Sequence, residues 1–206
     1  MENNNEINLN LPEKKPRFSK NTIFIILVIF IAAIVLYNMT DNNTIGEENN
    51  MAEGQKVKLE TNHGDIVIML YDDMPITTGN FVSLAEKGTY NEVIFHRIID
   101  GFMVQGGDPT GTGFGDPSIP NIEDEFTHAG GNRNKVGTIS MANAGPNTGS
   151  SQFFINLVDN SFLDTKHPAF GSVVKGMDIV EKIAKVATDP ADKPIEEVKI
   201  IKASLI

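Results

Sequence analysis

The stretch Phe95-His-Arg-Ile-Ile-Asp-Gly-Phe-Met-Val-Gln-Gly-Gly-Asp108 has the pattern of two short strands joined by a tight turn. Apolar residues dominate Val93–Ile99 and Phe102–Gln105, and the Asp-Gly pair between them is a strong hairpin signal. Three polar side chains interrupt these strands: His96, Arg97 and Gln105. An arginine on such a surface costs free energy unless it has partners. We therefore expect Arg97 to be either half-exposed in an ion pair or held in place for a function.

Two further stretches carry the same kind of signal. One is Ser140-Met-Ala-Asn-Ala-Gly-Pro-Asn-Thr-Gly-Ser-Ser-Gln-Phe-Phe-Ile155, and the other is Phe162-Leu-Asp-Thr-Lys-His-Pro-Ala-Phe-Gly171. Together with the first stretch, in this order and spacing, they resemble the cyclophilin family of peptidyl-prolyl isomerases. The resemblance extends from about Lys56 to the C-terminus, and it is specific because three separate motifs agree.

Length and composition limit the classes of protein that the chain can form. It has 206 residues, no Cys, no Trp, 40% hydrophobic residues and a net charge of −10. This length suits one globular domain with an appendage. The absence of cysteine excludes disulfides, a thiol nucleophile and thiolate metal sites. The acidic balance disfavours nucleic acid as a partner, because binding to phosphates needs a basic surface.

The N-terminal quarter predicts a membrane anchor. Residues 21–40 contain no charged side chain, and about 20 residues at a rise of about 1.5 Å span the roughly 30 Å of a bilayer core. The predicted segments are a cytoplasmic polar tail (1–20), a transmembrane helix (21–40), a flexible linker (41–54) and a folded domain (55–206). Basic residues precede the span and acidic residues follow it, so the positive-inside rule places the domain outside the cytoplasm.

Other interpretations of the N-terminal segment stay open. Residues 21–40 also fit a cleaved secretory signal or a buried core helix. A soluble product translated from Met51 is a further alternative.

The folded domain is predicted to be all-β. About eight short strands, including Ile122–Phe126, accompany two helices, one after Pro75 and one from Met177. A majority of strands predicts a closed barrel. The resemblance sharpens this prediction to a closed eight-stranded antiparallel cyclophilin-like barrel that is capped by two helices.

The resemblance implies catalysis of rotation about X–Pro bonds. The amide barrier is about 18–20 kcal/mol, and at the twisted transition state the prolyl nitrogen becomes pyramidal and basic. A donor aimed at that nitrogen stabilises the transition state more than the planar ground state. Arg97 matches the catalytic arginine of cyclophilins, and its permanent charge suits the role. The mechanism needs no cofactor and no metal, and its substrates are proline-containing polypeptides.

The resemblance also implies a substrate pocket around Arg97. Gln105 is expected to hydrogen-bond the substrate carbonyl or to orient Arg97. The apolar grip on the proline ring is assigned to Phe102, Met103, Phe154 and Leu163. The rim is assigned to Phe162 and His167, and the backbone contacts of an extended peptide are assigned to Ala142, Asn143 and Ala144. By the two-residue period of a strand, His96 is expected to face the other way and to be structural.

One departure from the familiar eukaryotic pattern concerns drug binding. Phe162 occupies a position that is often Trp, so the site keeps an aromatic ring but loses the indole N–H donor. We therefore expect cyclosporin to bind weakly. The alternative function is a tethered chaperone or peptide-docking module on the same fold, with incidental turnover.

Overall fold

The computed structural model describes residues 54–206. Within this part of the chain, two helices and a short 3₁₀ turn accompany a single antiparallel sheet of nine strands. The elements in chain order are β1 (Lys56–Thr61), β2 (Gly64–Leu70), α1 (Pro75–Glu86), β3 (Val93–Ile94), β4 (Arg97–Ile99), β5 (Met103–Gly106), β6 (Thr138–Met141), β7 (Phe153–Asn156), the 3₁₀ turn (Ser161–Leu163), β8 (Ala169–Lys175), α2 (Met177–Ile183) and β9 (Lys199–Leu205). The mainly-β class and the two helices are as predicted.

The sheet is strongly curled, and this curl follows from its connectivity. The strand order is β3-β9-β1-β2-β8-β6-β7-β5-β4, so β3 and β4 are the two outermost strands. Yet Ile94 at the end of β3 and Arg97 at the start of β4 are only three residues apart. Three Cα–Cα steps span at most about 11 Å, so the two edges of the sheet must come together.

The prediction of a closed eight-stranded barrel needs correction at this point. The expected single strand Val93–Ile99 is two strands, because its first half pairs with β9 and its second half pairs with β5. The break lies at Phe95, whose N–H donates to the carbonyl of Val198 and whose ring is fully buried. The hydrogen-bonded ladder is therefore that of a curled nine-stranded sheet with a gap between β3 and β4.

The predicted strand Ile122–Phe126 is wrong. Only Ile122 makes a strand-like contact, an isolated bridge to Gly149. The buried carboxylate of Glu125 instead accepts hydrogen bonds from the N–H groups of Ile76 and Thr77. These two N–H groups have no partner inside helix α1, because they lie in its first turn. Capping the helix draws this segment away from the sheet.

An aromatic cluster fills the core beneath the sheet. Phe153 on β7 meets the rings of Phe81, Tyr90 and Phe95 edge-on, with centroid distances of 5.4, 5.6 and 6.4 Å. Such pairs add about 0.5–1.5 kcal/mol each beyond the burial of their area. The cluster therefore makes β7 rigid, and β7 also carries Phe154 on its opposite face.

The predicted tail, transmembrane helix and linker at 1–54 fall almost entirely outside the described residues. Among residues 54–206, no helix combines the length and hydropathy needed to cross a bilayer. The anchor at 21–40 therefore stays a prediction.

Candidate active site

A surface pocket of about 260 Å³ opens on the sheet between β4, β5 and the loops after β6 and β7. Nine residues line it: Arg97, Phe102, Met103, Gln105, Ala142, Asn143, Phe154, Leu163 and His167. Each of the nine was expected at a substrate site from the sequence. Two other expected residues, Ala144 and Phe162, do not line this pocket.

Strand register brings the polar and apolar sides of the pocket together. Arg97 is the direct partner of Gln105 across β4 and β5, and Gln105 is the direct partner of Phe154 across β5 and β7. Directly opposed residues project from the same face of a sheet. Met103 lies two residues from Gln105 and shares that face by the period of two. The sheet therefore presents one row of side chains to the substrate.

The floor of the pocket is a small apolar cluster separate from the main core. Met103, Phe154 and Leu163 are buried, with Phe102 and Ala142 packed against them. Leu163 reaches the cluster from the 3₁₀ turn that follows β7. Such a floor favours a compact apolar ring and keeps water away from it.

Arg97 stands beside this floor with its side chain 43% exposed. Its Nε lies 3.5 Å from Oδ2 of Asp192, a charge contact that sequence reasoning did not foresee. Within residues 54–206 the two Nη groups make no hydrogen bond, so they are free to donate to a bound molecule. The sequence left a choice between an ion-paired and a functional arginine, and the geometry is compatible with both at once.

Gln105 is held by a chain of amides. Its Nε2 donates to Oε1 of Gln152 at 3.0 Å, and Nε2 of Gln152 donates to the carbonyl of Gly113 at 3.1 Å. The side-chain oxygen of Gln105 is left free as an acceptor within the described residues. Gln152 was missed as a site residue, although it lies in the second motif, directly before β7 and two residues before Phe154.

The backbone of Asn143 is open to a ligand. Within residues 54–206, neither its N–H nor its C=O has a hydrogen-bond partner. Its side chain donates to the carbonyl of Lys166 at 2.8 Å, which fixes the loop that follows β6. The adjacent Ala142 N–H is already bonded to the carbonyl of Gln152. One residue at the rim therefore offers a donor and an acceptor to an extended peptide.

Ala144 and Phe162 border the pocket from outside. Ala144 lines a second groove of about 690 Å³, which shares Gln105, Ala142 and Asn143 with the pocket. Phe162 is 64% exposed, and its ring stacks on that of Phe102 with centroids 6.0 Å apart. The Phe162 ring therefore packs against Phe102, one of the residues that line the pocket.

His167 lines the pocket next to Phe154. Its Nδ1–H donates to the carbonyl of Met141 at 3.1 Å, and its ring meets Phe154 edge-on at 5.5 Å. The imidazole is therefore fixed in orientation as a wall of the pocket.

His96 and Asp108 are two buried titratable residues next to the site. His96 does not line the nine-residue pocket, but it lines an adjacent groove of about 560 Å³ together with Arg97 and Gln105. Its side chain is 8% exposed, and its Nδ1 has no partner in the described chain.

Burial lowers the pKa of His96, and the nearby Asp108 carboxylate acts in the opposite direction without outweighing it. Burial alone would raise the pKa of Asp108, but hydrogen bonds from Thr110, Gly115 and Gly113 outweigh it and lower the pKa.

Candidate metal ligands are not grouped. Among residues 54–206, no set of three or more His, Asp or Glu side chains is arranged to hold a metal ion.

The comparisons with known proteins identify the family. The family profile described as "Cyclophilin type peptidyl-prolyl cis-trans isomerase/CLD" matches residues 56–205. The chain therefore belongs to the cyclophilin-type peptidyl-prolyl cis-trans isomerases, enzymes that interconvert the cis and trans forms of X–Pro bonds.

Individual relatives and solved structures agree with this. Peptidyl-prolyl cis-trans isomerase-like 1 of Neurospora crassa is 49% identical over 153 residues, which cover 73% of this chain and 93% of the relative. Peptidyl-prolyl cis-trans isomerase ppi1 of Schizosaccharomyces pombe is 50% identical over 150 residues, which cover 71% of this chain and 96% of the relative. The crystal structure of a Cryptosporidium parvum cyclophilin-type isomerase with the dipeptide Ala-Pro is 34% identical, with a TM-score of 0.69, and covers 74% of this chain and 99% of its own.

Proposed function

We propose that the nine-residue pocket binds the prolyl ring of an X–Pro segment and that Arg97 donates a hydrogen bond to the prolyl nitrogen as the bond rotates. The observation that carries the proposal is the position of Arg97. Its Nη groups are unbonded within the described chain, and they stand beside the apolar floor formed by Met103, Phe154 and Leu163.

The physical reason lies in how the amide changes during rotation. In the planar ground state the nitrogen lone pair is delocalised into the carbonyl, and the barrier is about 18–20 kcal/mol. At the twisted state the lone pair is localised and becomes a good acceptor. A charged donor held in place therefore stabilises the twisted state more than the planar one. The apolar floor helps, because low polarity around the donor strengthens the interaction.

The neighbouring groups hold the rest of the peptide. The free N–H and C=O of Asn143 bind the backbone of the segment next to the proline. The free oxygen of Gln105 either orients the Arg97 guanidinium or accepts from the peptide. The second groove, which shares Ala142 and Asn143 with the pocket, receives the chain beyond.

The test uses isomerisation of a short X–Pro peptide by the purified domain from Met51. We expect Arg97→Ala to lower kcat by about 100-fold, the usual cost of losing one transition-state donor. Arg97→Lys should also be slow, because a lysine lacks the planar fork. Arg133→Ala is the matched control, because Arg133 is exposed and its Nε contacts only the carbonyl of Gly130. A folded Arg97→Ala variant with the wild-type rate would overturn the proposal.

The same variant separates catalysis from peptide docking. If the domain acts in the cell as a tethered chaperone or docking module, Arg97→Ala will abolish isomerisation and leave client refolding unchanged. If isomerisation is the function, both will be lost. Peptide binding should be measured by NMR titration in parallel, so that a weakened affinity is not mistaken for a slower reaction.

We further propose that residues 21–40 anchor the enzyme in a membrane, with 1–20 in the cytoplasm and the domain acting on unfolded or exported polypeptides outside it. The uncharged run at 21–40 and the basic residues before it support this. The full chain should sediment with membranes and resist alkaline extraction, and added protease should reach the domain in intact cells. A chain that starts at Met51 is the soluble control. A native product whose mass lacks the first 50 residues would contradict the anchor.

A further inference from the structure

We infer that Asp192 is a positioning residue that orients the Arg97 guanidinium. Asp192 lies in the connection between α2 and β9, far from Arg97 in sequence. Its Oδ2 is 3.5 Å from Arg97 Nε, and the two side chains are about equally exposed, at 42% and 43%. The inference rests on the proposed function, because it gives Asp192 a role only if Arg97 is the donor.

The main chain of Asp192 is tied to the strand that carries Arg97. The carbonyl of Asp192 accepts a hydrogen bond of 2.8 Å from the N–H of Ile98, the residue after Arg97 on β4. The Asp192 carboxylate then reaches back to Arg97 itself. Asp192 thus contacts Ile98 through its backbone and Arg97 through its side chain. Because the backbone contact fixes Asp192 against β4, its distance from Arg97 is fixed as well.

The turn around Asp192 is built to present this side chain. Asp192 has φ of 63°, in the left-handed region that residues other than glycine, asparagine and aspartate seldom adopt. The conformation is held by Asp189, whose carboxylate accepts from the N–H groups of Ala191 and Lys193. The N–H of Asp192 donates to the carbonyl of Asp189, and the N–H of Asp189 donates to the carbonyl of Lys193. The turn is therefore ordered although it is exposed.

Asp192 contacts Arg97 through Nε, so the two Nη groups of Arg97 are left to donate to the substrate. A long arginine side chain samples many rotamers, and a carboxylate at Nε restricts them while both Nη groups stay unbonded. Orientation of a reacting group contributes to rate without contributing to substrate affinity. We therefore expect loss of Asp192 to lower kcat and to leave KM close to the wild-type value.

Because the backbone of Asp192 is left-handed, the test variants must be residues that tolerate a positive φ. Asp192→Gly removes the side chain and keeps the turn, because glycine adopts positive φ freely. Asp192→Asn removes the charge and keeps the shape of the side chain, and asparagine tolerates the left-handed conformation. Asp65→Asn is the control for net charge, because Asp65 is an exposed aspartate of the β1–β2 hairpin and is 3.9 Å from its lysine partner. A half-exposed ion pair is a modest interaction, so kcat should fall about five-fold in Asp192→Gly and less in Asp192→Asn.

The decisive kinetic measurement repeats both Asp192 variants in an Arg97→Ala background. A separate NMR measurement records the Arg97 Nε–H resonance in the wild type and in Asp192→Gly, where Arg97 is present. The inference predicts no further loss of kcat once Arg97 is absent, and a shifted or broadened Nε–H signal in Asp192→Gly. Suppose that Arg97→Ala is itself slow, as the proposed function requires. A wild-type kcat in folded Asp192→Gly, or an equal loss of kcat with and without Arg97, would then overturn the role of Asp192 and leave the proposed function intact. A wild-type rate in Arg97→Ala would overturn the proposed function and the inference together.

Discussion

His96 and Asp108 both lie against Gly113, the first through its ring and the second through a hydrogen bond. The N–H of Gly113 donates to Oδ2 of Asp108 at 2.7 Å, and the His96 ring packs so close that a Cβ added at Gly113 would lie 3.3 Å from it. Both side chains are buried, and Gly113 lines two grooves, the one of about 690 Å³ that contains Gln105 and one of about 560 Å³ that contains both Arg97 and Gln105. The loop next to the site is therefore held by two titratable groups, which respond to acid differently.

His96 predicts a loss of stability in mild acid. Burial lowers the pKa of folded His96 below the value of about 6.5 in the unfolded chain. Between these two values the unfolded state binds more protons, so the free energy of unfolding should fall as the pH falls below about 6.5. Urea unfolding between pH 7 and 5 should show a shallower pH dependence in His96→Leu. The control is His63→Gln in the β1–β2 turn, and an unchanged slope in His96→Leu would contradict the assignment.

Asp108→Asn should loosen the loop 109–115. The carboxylate accepts hydrogen bonds from the N–H groups of Thr110, Gly113 and Gly115, and an amide nitrogen would face one or two of these donors. The donors belong to exposed or half-exposed residues, where water replaces part of what is lost, so we expect urea unfolding to show a loss of about 1 kcal/mol. Because the pKa of Asp108 is lowered, its contribution is present above the unfolded value of about 3.9 and is lost below it.

The comparison for this change is Asp116→Asn, where the carboxylate accepts from the N–H and side chain of Ser118 in the same loop. An Asp108→Asn variant as stable as Asp116→Asn would show that the loop does not depend on the buried carboxylate.

Gln152→Ala should slow isomerisation without unfolding the protein. The change removes the acceptor that holds the Gln105 amide, so Gln105 gains rotamers next to Arg97. We expect kcat/KM to fall about five-fold, the equivalent of about 1 kcal/mol for one hydrogen bond. Gln55→Ala, at an exposed glutamine before β1, should have no effect. Wild-type kinetics in Gln152→Ala would mean that Gln105 is ordered by other contacts.

Phe162→Trp should strengthen cyclosporin binding and leave isomerisation almost unchanged. The Phe162 ring is 64% exposed and stacks on Phe102, so a larger indole has room and adds one N–H donor. A hydrogen bond of about 1 kcal/mol corresponds to roughly a five-fold lower Kd by calorimetry. Phe162→Tyr serves as the comparison, because it adds a polar group at another position of the ring. Equal affinities for Phe and Trp at this position would remove the indole explanation.

Some residues of the site could be predicted from the sequence, and other features of the fold could not. Residues of the apolar row, such as Met103 and Phe154, follow from motif order and strand period, because alternate residues of a strand share a face. The position of Glu125 could not be predicted in this way, because its carboxylate caps α1, a helix that begins 50 residues earlier in the chain. The break of Val93–Ile99 into two strands likewise depends on which neighbours each half meets, not on local propensity.

The sequence by itself determined the family, the mainly-β class and most of the strands and turns of the domain, and it predicted the nine residues that line the pocket, because these signals lie within a few neighbouring positions. The tertiary structure decided which groups reach that pocket from elsewhere. Gln152 lies beside Gln105 because β5 and β7 are neighbours in the sheet, and Asp192 lies beside Arg97 because its carbonyl is hydrogen-bonded to Ile98 on β4. Orientation of a long side chain is a matter of such long-range contacts, since its own residue and neighbours leave many rotamers equally available.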